Sequence, residues 1–102
     1  MDLPKSLKIG YRKISLEPKD MEDFGEFLTL ENKIIYNNKV TPPELINTVL
    51  HESLHAIFAD RLVDIISSKK EETVVNTLAN GIMSLLIDNP NLLKYINKHL
   101  ND

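Results

Sequence analysis

Apolar and polar residues alternate along the first part of the chain, as they do in half-buried β-strands. Apolar side chains occupy every second position in two successive sets that are shifted by one residue: Leu7, Ile9 and Tyr11, then Ile14 and Leu16. Because the side chains of a strand point alternately to its two faces, this shift predicts one strand over 7–16 with a bulge or bend near Arg12 and Lys13.

Two short β-rich runs follow a polar connection. The stretch 17–25 is mostly charged and contains a proline and a glycine, which predicts a connecting loop. The runs at 26–30 and 33–37 are rich in β-forming residues and flank the polar pair Glu31 and Asn32. This arrangement predicts a β-hairpin with a tight turn.

After residue 40 the apolar residues recur every three or four positions. Thr41 is a suitable N-cap, Pro42 fits the first helical position, and Glu44 stands where a capping box requires an acid. A broadly buried helix is therefore predicted to begin here and to reach the low sixties. Its apolar positions are Leu45, Ile46, Val49, Leu50, Leu54, Ile57, Phe58, Leu62, Ile65 and Ile66.

Two further helices are predicted beyond the first. Ser68 and Glu71 have the spacing of a second capping box, which predicts a helix over about 69–88. The pair Asn89 and Pro90 repeats the cap-plus-proline signature and predicts a short last helix. The order of elements predicts an α+β fold in which a short antiparallel β-sheet or hairpin precedes these helices.

Composition narrows the class of protein. The chain has 102 residues, which predicts a single domain over 1–102, and its 12 basic and 15 acidic residues argue against nucleic acid or an anionic membrane as a partner. It has no cysteine, so a bound metal must be held by nitrogen and oxygen. Without an apolar run of membrane-spanning length or an apolar stretch at the start, a cytoplasmic protein is expected.

The predicted motif helix contains His51-Glu52-Ser53-Leu54-His55, an H-E-x-x-H motif. Histidines four residues apart project from one helix face, so both imidazoles can reach one zinc ion, and Glu52 is aimed at a water molecule on that ion. The neighbouring residues are uncharged, as a metal-bearing helix in a core requires. The alternative is a buried helix whose histidines bond to backbone carbonyls while Glu52 forms a salt bridge.

Catalytic zinc needs a third protein ligand, and the following helix offers two acids. Glu71 stands at the capping-box position, which leaves Glu72 as the favoured ligand, with Asn76 on the same face to orient it. Glu71 is the alternative ligand, and both acids could instead complement the helix dipole. Asp60 and Asp64 are weaker candidates because they would have to reach back across their own helix axis.

These motifs resemble a known family. The string T-V-L-H-E-S-L-H-A-I at 48–57 and the E-x-x-x-N of 72–76, after a short hairpin, look like the minimal gluzincin metallopeptidases. Among them the chain is most similar to the ImmA/IrrE-type and phage-encoded zincin domains, over about 25–88. The resemblance implies a zincin-like fold, a zinc cofactor and hydrolysis of peptide bonds in a peptide or protein substrate.

The resemblance also implies a role for five residues. His51, His55 and Glu72 match the zinc ligands of the family. Glu52 matches the catalytic acid/base that assists the zinc-bound water, and Asn76 matches the residue that supports the glutamate ligand.

Other site features remain as alternatives. An oxyanion stabiliser could come from Tyr36, Tyr95 or His99, although the tyrosines also suit packing and His99 also suits a helix C-terminus. The run 32–37 could act as an edge strand that pairs with an extended peptide. Instead of an enzyme, the chain could be a metallopeptidase-like binding or regulatory protein with zinc as a structural pin, or a helical interaction protein without metal.

Overall fold

A computed structural model describes residues 3–61 and 67–100, which form a sheet followed by helices. The strands are β1 (Ser6–Ile9), β2 (Arg12–Lys19), β3 (Gly25–Leu28) and β4 (Lys33–Asn37), and the helices are α1 (Pro42–Arg61), α2 (Ser68–Asp88) and α3 (Pro90–Leu100). The predicted α+β fold is confirmed. None of the helices in the described ranges is long and apolar enough to cross a membrane.

The first β region is a hairpin, so the prediction of one bulged strand over 7–16 is wrong. β1 and β2 pair antiparallel across a turn at Gly10 and Tyr11, where Gly10 adopts a positive φ of 61°. Leu7 lies opposite Ile14 in this register. The turn therefore brings Leu7 and Ile9 to the same face of the sheet as Ile14 and Leu16, which explains the shift along the sequence, while Tyr11 lies in the turn and is exposed.

The four strands lie in the order β1-β2-β4-β3. β2 and β4 are parallel, whereas β1–β2 and β3–β4 are antiparallel, so the sheet is mixed rather than wholly antiparallel. β2 extends to Lys19, which shortens the predicted connection from 17–25 to 20–24. β3 and β4 confirm the predicted hairpin, with a 3-10 turn at Thr29–Glu31 and Asn32 in the left-handed conformation.

The sheet order also corrects the predicted edge strand. β4 lies between β2 and β3, so the run 32–37 cannot pair with an added peptide. The strand at that edge is β3, whose one strand partner among the described residues is β4, while the Phe27 amide of β3 donates to the Glu52 carboxylate. Because β3 also contacts α1, this edge borders the helix that carries the H-E-x-x-H motif.

The core forms between the sheet and α1. Its buried cluster consists of Ile14, Leu16, Ile34 and Ala56. α1 is not broadly buried, because Ile46 and Ile57 on its other side are exposed. Leu62, Ile65 and Ile66, which were predicted to extend this face, lie outside the described residues.

The observed N-cap of α1 is the predicted one, whereas the observed N-cap of α2 lies one residue before the predicted one. In α1 the Thr41 amide donates to the Glu44 carboxylate at 2.9 Å, which confirms the predicted capping box. In α2 the cap is Ser67 rather than Ser68, because the Ser67 hydroxyl accepts from the Lys70 amide. The Glu71 side chain is therefore not used for capping and projects from the first turn of α2.

The close approach of α1 to β3 at Gly25 gives a testable prediction. A Cβ atom at Gly25 would lie 2.6 Å from Thr48 Cγ2 and 2.9 Å from the Ile35 carbonyl oxygen. Gly25→Ala should therefore lower the free energy of unfolding by about 1–3 kcal/mol, because the strand must move away from the helix. Urea unfolding would measure this change.

Gly81→Ala is the matched control for the same chemical change. A Cβ at Gly81, inside α2, has nothing within 4 Å. Alanine there should raise the free energy of unfolding by about 0.5–1 kcal/mol, because glycine disfavours a helix interior. Equal effects at the two glycines would contradict the proposed close approach.

Candidate metal centre

Three polar side chains of the H-E-x-x-H motif on helix α1 lie close together. The rings of His51 and His55 have centroids 4.9 Å apart, and both side chains are largely buried. Glu52 is buried, with 8% of its surface exposed. One donor atom from each of these residues lies within 4.8 Å of the other two. The i, i+4 spacing places the two histidines on one face of the helix.

Helix α2 brings Glu72 to both histidines. Glu72 Oε1 lies 3.1 Å from His51 Nε2, and Glu72 Oε2 lies 3.0 Å from His55 Nε2. Glu52 is further from His51, at 3.9 Å between Oε2 and Nε2. Glu52 and Glu72 could each complete a set of three donors, but only Glu72 approaches both imidazoles closely, so we take Glu72 as the third donor.

The ring of His55 lies between two carboxylates. Its Nδ1 is 2.7 Å from Glu71 Oε2, and its Nε2 is 3.0 Å from Glu72 Oε2. A carboxylate only accepts hydrogen bonds, and a neutral imidazole carries one N–H. If Nδ1 donates to Glu71, the lone pair of Nε2 faces Glu72, and a cation is needed between them. A proton or a metal ion satisfies this requirement.

The donor set fits zinc. Two imidazole nitrogens and one carboxylate form a ligand set found in catalytic zinc sites, which leave a fourth position for water. In a tetrahedral shell with bonds of about 2.0–2.1 Å, neighbouring ligand atoms are about 3.3 Å apart. The distances from the two Glu72 oxygens to the nearest imidazole nitrogen, 3.1 Å for Oε1 to His51 Nε2 and 3.0 Å for Oε2 to His55 Nε2, are slightly shorter than that separation, and a different oxygen faces each ring.

Burial shifts the pKa values of two groups at this centre. Burial raises the pKa of Glu52 to about 6, while the charge on His55 opposes the shift and the charge on Glu72 adds to it. Burial lowers the pKa of His51, and the charge on Glu72 opposes that shift. The neutral imidazole favoured at His51 is the form that binds a metal.

Two cavities lie next to the centre. The Asn cavity, of about 480 Å³, contains Asn47, Asn76 and Asn80 in its wall. The β3 cavity, of about 470 Å³, has Phe27, Thr29, His55, Glu71 and Glu72 in its wall. Gly25, His51 and Glu52 line both cavities, so the two cavities are neighbours beside β3, and we refer to the pair of cavities as the groove.

The remaining residues predicted for the site lie elsewhere. Asn76 is in the wall of the Asn cavity, and the structure gives it no hydrogen bond to Glu72 within the described ranges. Tyr36 packs against the core cluster, and His99 lies in the last turn of α3, so neither lines the groove. The side chains of Tyr95 and Asp60, and the whole of Asp64, lie outside the described part of the chain.

The contact between Glu71 and His55 was missed by the sequence reasoning and gives a prediction. A carboxylate on the outer nitrogen of a ligating histidine holds the ring and raises its basicity. Glu71→Ala should therefore weaken zinc binding by roughly 10–100-fold without abolishing it. Glu71→Gln should fall between alanine and the parent protein, because its amide oxygen can still accept from Nδ1.

Competition with a chromogenic chelator would measure these affinities. Glu31→Ala is a matched control, since Glu31 is an exposed acid whose partner is Lys33 rather than a histidine. An unchanged zinc affinity in Glu71→Ala would show that the contact with His55 does not support the metal site.

Comparisons of the chain with protein-family models, curated proteins and solved structures found no match. The assignment of this centre therefore depends on the donor geometry and on the motifs in the sequence.

Proposed function

We propose that the protein is a zinc-dependent metallopeptidase. The observation that carries the proposal is the convergence of His51, His55 and Glu72 from two helices, with the buried carboxyl of Glu52 beside them. A structural zinc site has four protein ligands, whereas this set of three leaves a position for water. The resemblance of the motifs to gluzincins supports the same conclusion.

The residues of the chain have separate roles in this proposal. Bound zinc would lower the pKa of a water molecule and polarise the substrate carbonyl. Glu52 would accept the proton of the attacking water on its carboxylate and deliver it to the amine that leaves as the C–N bond breaks. A buried carboxyl with a pKa raised to about 6 is suited to both transfers near neutral pH.

An extended peptide is the substrate that best suits the groove. On its outer edge β3 has no strand partner among the described residues, and this edge runs past His51 and Glu52, where the Phe27 amide donates to the Glu52 carboxylate. An added strand could form backbone hydrogen bonds with the rest of this edge, which would hold the scissile bond in a fixed direction. The edge strand of this proposal is β3, in place of the run 32–37 expected from the sequence.

A zinc titration combined with a cleavage assay tests the proposal. The protein should bind about one equivalent of zinc, and zinc should protect it against thermal unfolding. The zinc-loaded protein should cleave unfolded polypeptides such as reduced casein, and a chelator should stop the cleavage. Uptake of less than about a tenth of an equivalent would overturn the proposal. Stoichiometric zinc without cleavage would favour the binding or regulatory protein instead.

A further inference from the structure

The side chain of Arg12, at the start of β2, binds the turn that joins β3 to β4. Its Nε donates to Asn32 Oδ1 at 2.7 Å, and its Nη2 donates to the Thr29 carbonyl oxygen at 2.6 Å. The same Nη2 lies 3.2 Å from Thr29 Oγ1. The planar fork of a guanidinium presents several donors in fixed directions, so one side chain holds both ends of this turn.

The backbone of the turn explains why it needs this support. Asn32 has a positive φ of 52°, a conformation that costs free energy for a residue other than glycine. Besides the bond from Arg12, the Ser15 amide of β2 donates to the Asn32 carbonyl oxygen at 3.0 Å. The end of the β3–β4 hairpin is therefore fastened to β2.

The same guanidinium also lies over the Phe27 ring of β3. Arg12 Cζ is 5.1 Å from the ring centroid, a distance at which a cation is attracted to an aromatic face. The Phe27 side chain is partly buried and packs against the core cluster. Arg12 therefore contacts both the first and the last residue of the segment 27–29.

The segment 27–29 borders the proposed metal centre. Phe27 and Thr29 line the β3 cavity together with Glu52. The Phe27 amide donates to the Glu52 carboxylate. The position of this amide therefore influences where the buried carboxylate lies relative to the two histidines.

We propose that Arg12 is a positioning residue, which fixes the segment 27–29 of β3 so that the Phe27 amide holds the Glu52 carboxylate beside the histidines. Neither cavity has Arg12 in its wall, so Arg12 acts through Phe27 rather than on the substrate. The proposal rests on the proposed function for its effect on catalysis, whereas the link from Arg12 to Phe27 does not depend on that function.

Amide hydrogen exchange, followed by NMR with and without zinc, tests the link from Arg12 to Phe27. Arg12→Ala should raise the exchange rate of the Phe27 amide by roughly 3–10-fold, the effect of weakening one hydrogen bond. The Leu16 amide, which donates to the Lys5 carbonyl oxygen at 2.9 Å, should keep its parental rate. Glu52→Ala removes the acceptor and so provides the reference rate for an unbonded Phe27 amide.

Peptide cleavage by the zinc-loaded protein tests the effect on Glu52. Arg12→Ala should lower kcat by roughly 10–100-fold, the loss expected when a catalytic group is displaced by about 1 Å. KM and zinc affinity should stay within about threefold of the parental values, because Glu52 acts on the attacking water rather than on substrate binding. Arg12→Lys keeps the charge without the fork of donors, so its kcat should lie between those of alanine and the parent.

Two further variants complete the experiment. Lys13→Ala is the matched control, because Lys13 is the next cation along β2, is exposed and has no side-chain partner within the described ranges. It should leave Phe27 exchange and kcat unchanged. Asn32→Gly removes one acceptor of Arg12 but keeps a residue that readily adopts a positive φ. It should cause a smaller change of the same kind as Arg12→Ala without loss of the turn.

The outcomes separate this proposal from the proposed function. An unchanged Phe27 exchange rate in Arg12→Ala, or an equal rise at Phe27 and Leu16, would overturn the positioning role even if the protein cleaves peptides. A loss confined to KM would also overturn it, because the segment 27–29 would then serve substrate binding alone. A rise confined to Phe27 in a protein that binds no zinc would support the link from Arg12 to Phe27 while the metallopeptidase proposal fails.

Discussion

Glu52→Gln should bind zinc as the parent protein does and should lose roughly a hundredfold to ten-thousandfold in the kcat/KM of peptide cleavage. Glutamine has nearly the shape of glutamate, but its amide cannot accept the proton of the attacking water. Glu72 and both histidines keep their positions because Glu52 is not the close partner of either Nε2 atom. Metal content by atomic absorption, measured alongside peptide cleavage, checks both parts.

Glu17→Gln is the matched control for the Glu52 experiment. Glu17 is an exposed acid on β2 that pairs with Lys33, outside both cavities. It should leave zinc content and cleavage unchanged. Cleavage by Glu52→Gln at the parental rate would remove Glu52 from the chemistry, whereas loss of zinc in that variant would assign it a ligand role in place of Glu72.

Glu72→Ala should weaken zinc binding by more than about a hundredfold, the upper end of the loss for residues that only support a ligand. The reason is that, among the carboxylates the structure describes, Glu72 is the one close to the Nε2 atoms of both histidines. Removing it leaves the two imidazoles with Glu52, whose Oε2 lies 3.9 Å from His51 Nε2 and which is therefore a poorer third donor; catalytic zinc sites have three protein ligands. Zinc-dependent protection against thermal unfolding should disappear with the affinity.

Asn76→Ala is the matched control for Glu72→Ala, because Asn76 lies on the same helix, α2. The structure gives Asn76 no hydrogen bond to Glu72 within the described ranges, so its alanine variant should keep the parental zinc affinity. A comparable loss in the two variants would show that Asn76 supports Glu72 in the way expected from the sequence. An unchanged affinity in Glu72→Ala would show that Glu52 or Glu71 is the third ligand.

The positions of the helices, and the common face of His51 and His55, could be predicted because the residues that determine them are close together in the sequence. The spacing of His51 and His55 places both rings on one face of any α-helix, whatever surrounds that helix. Thr41 and Glu44 likewise define a cap within one turn. The sheet order depends on contacts between distant residues, such as the parallel pairing of β2 with β4, and no local pattern determines it.

The errors also have local physical causes. The one-residue shift in apolar periodicity is compatible with a bulge or a two-residue turn, and only the position of Gly10 between paired strands distinguishes them. At the start of α2, Ser67 and Ser68 are both good caps. Choosing Ser68 assigned Glu71 to the cap, and this concealed its contact with His55. A ligating histidine normally has a partner for its outer nitrogen, and this rule could have indicated Glu71.

The acids of α1 and α2 that meet at this centre affect how well the protein resists proteases. Glu52, Glu71 and Glu72 gather around two imidazoles at the contact between the helices. Without a cation between them, these carboxylates repel one another, which weakens the contact of α2 with α1. If zinc binds as proposed, the zinc-free protein should open more readily at this contact and be cleaved faster by an added protease than the zinc-loaded protein.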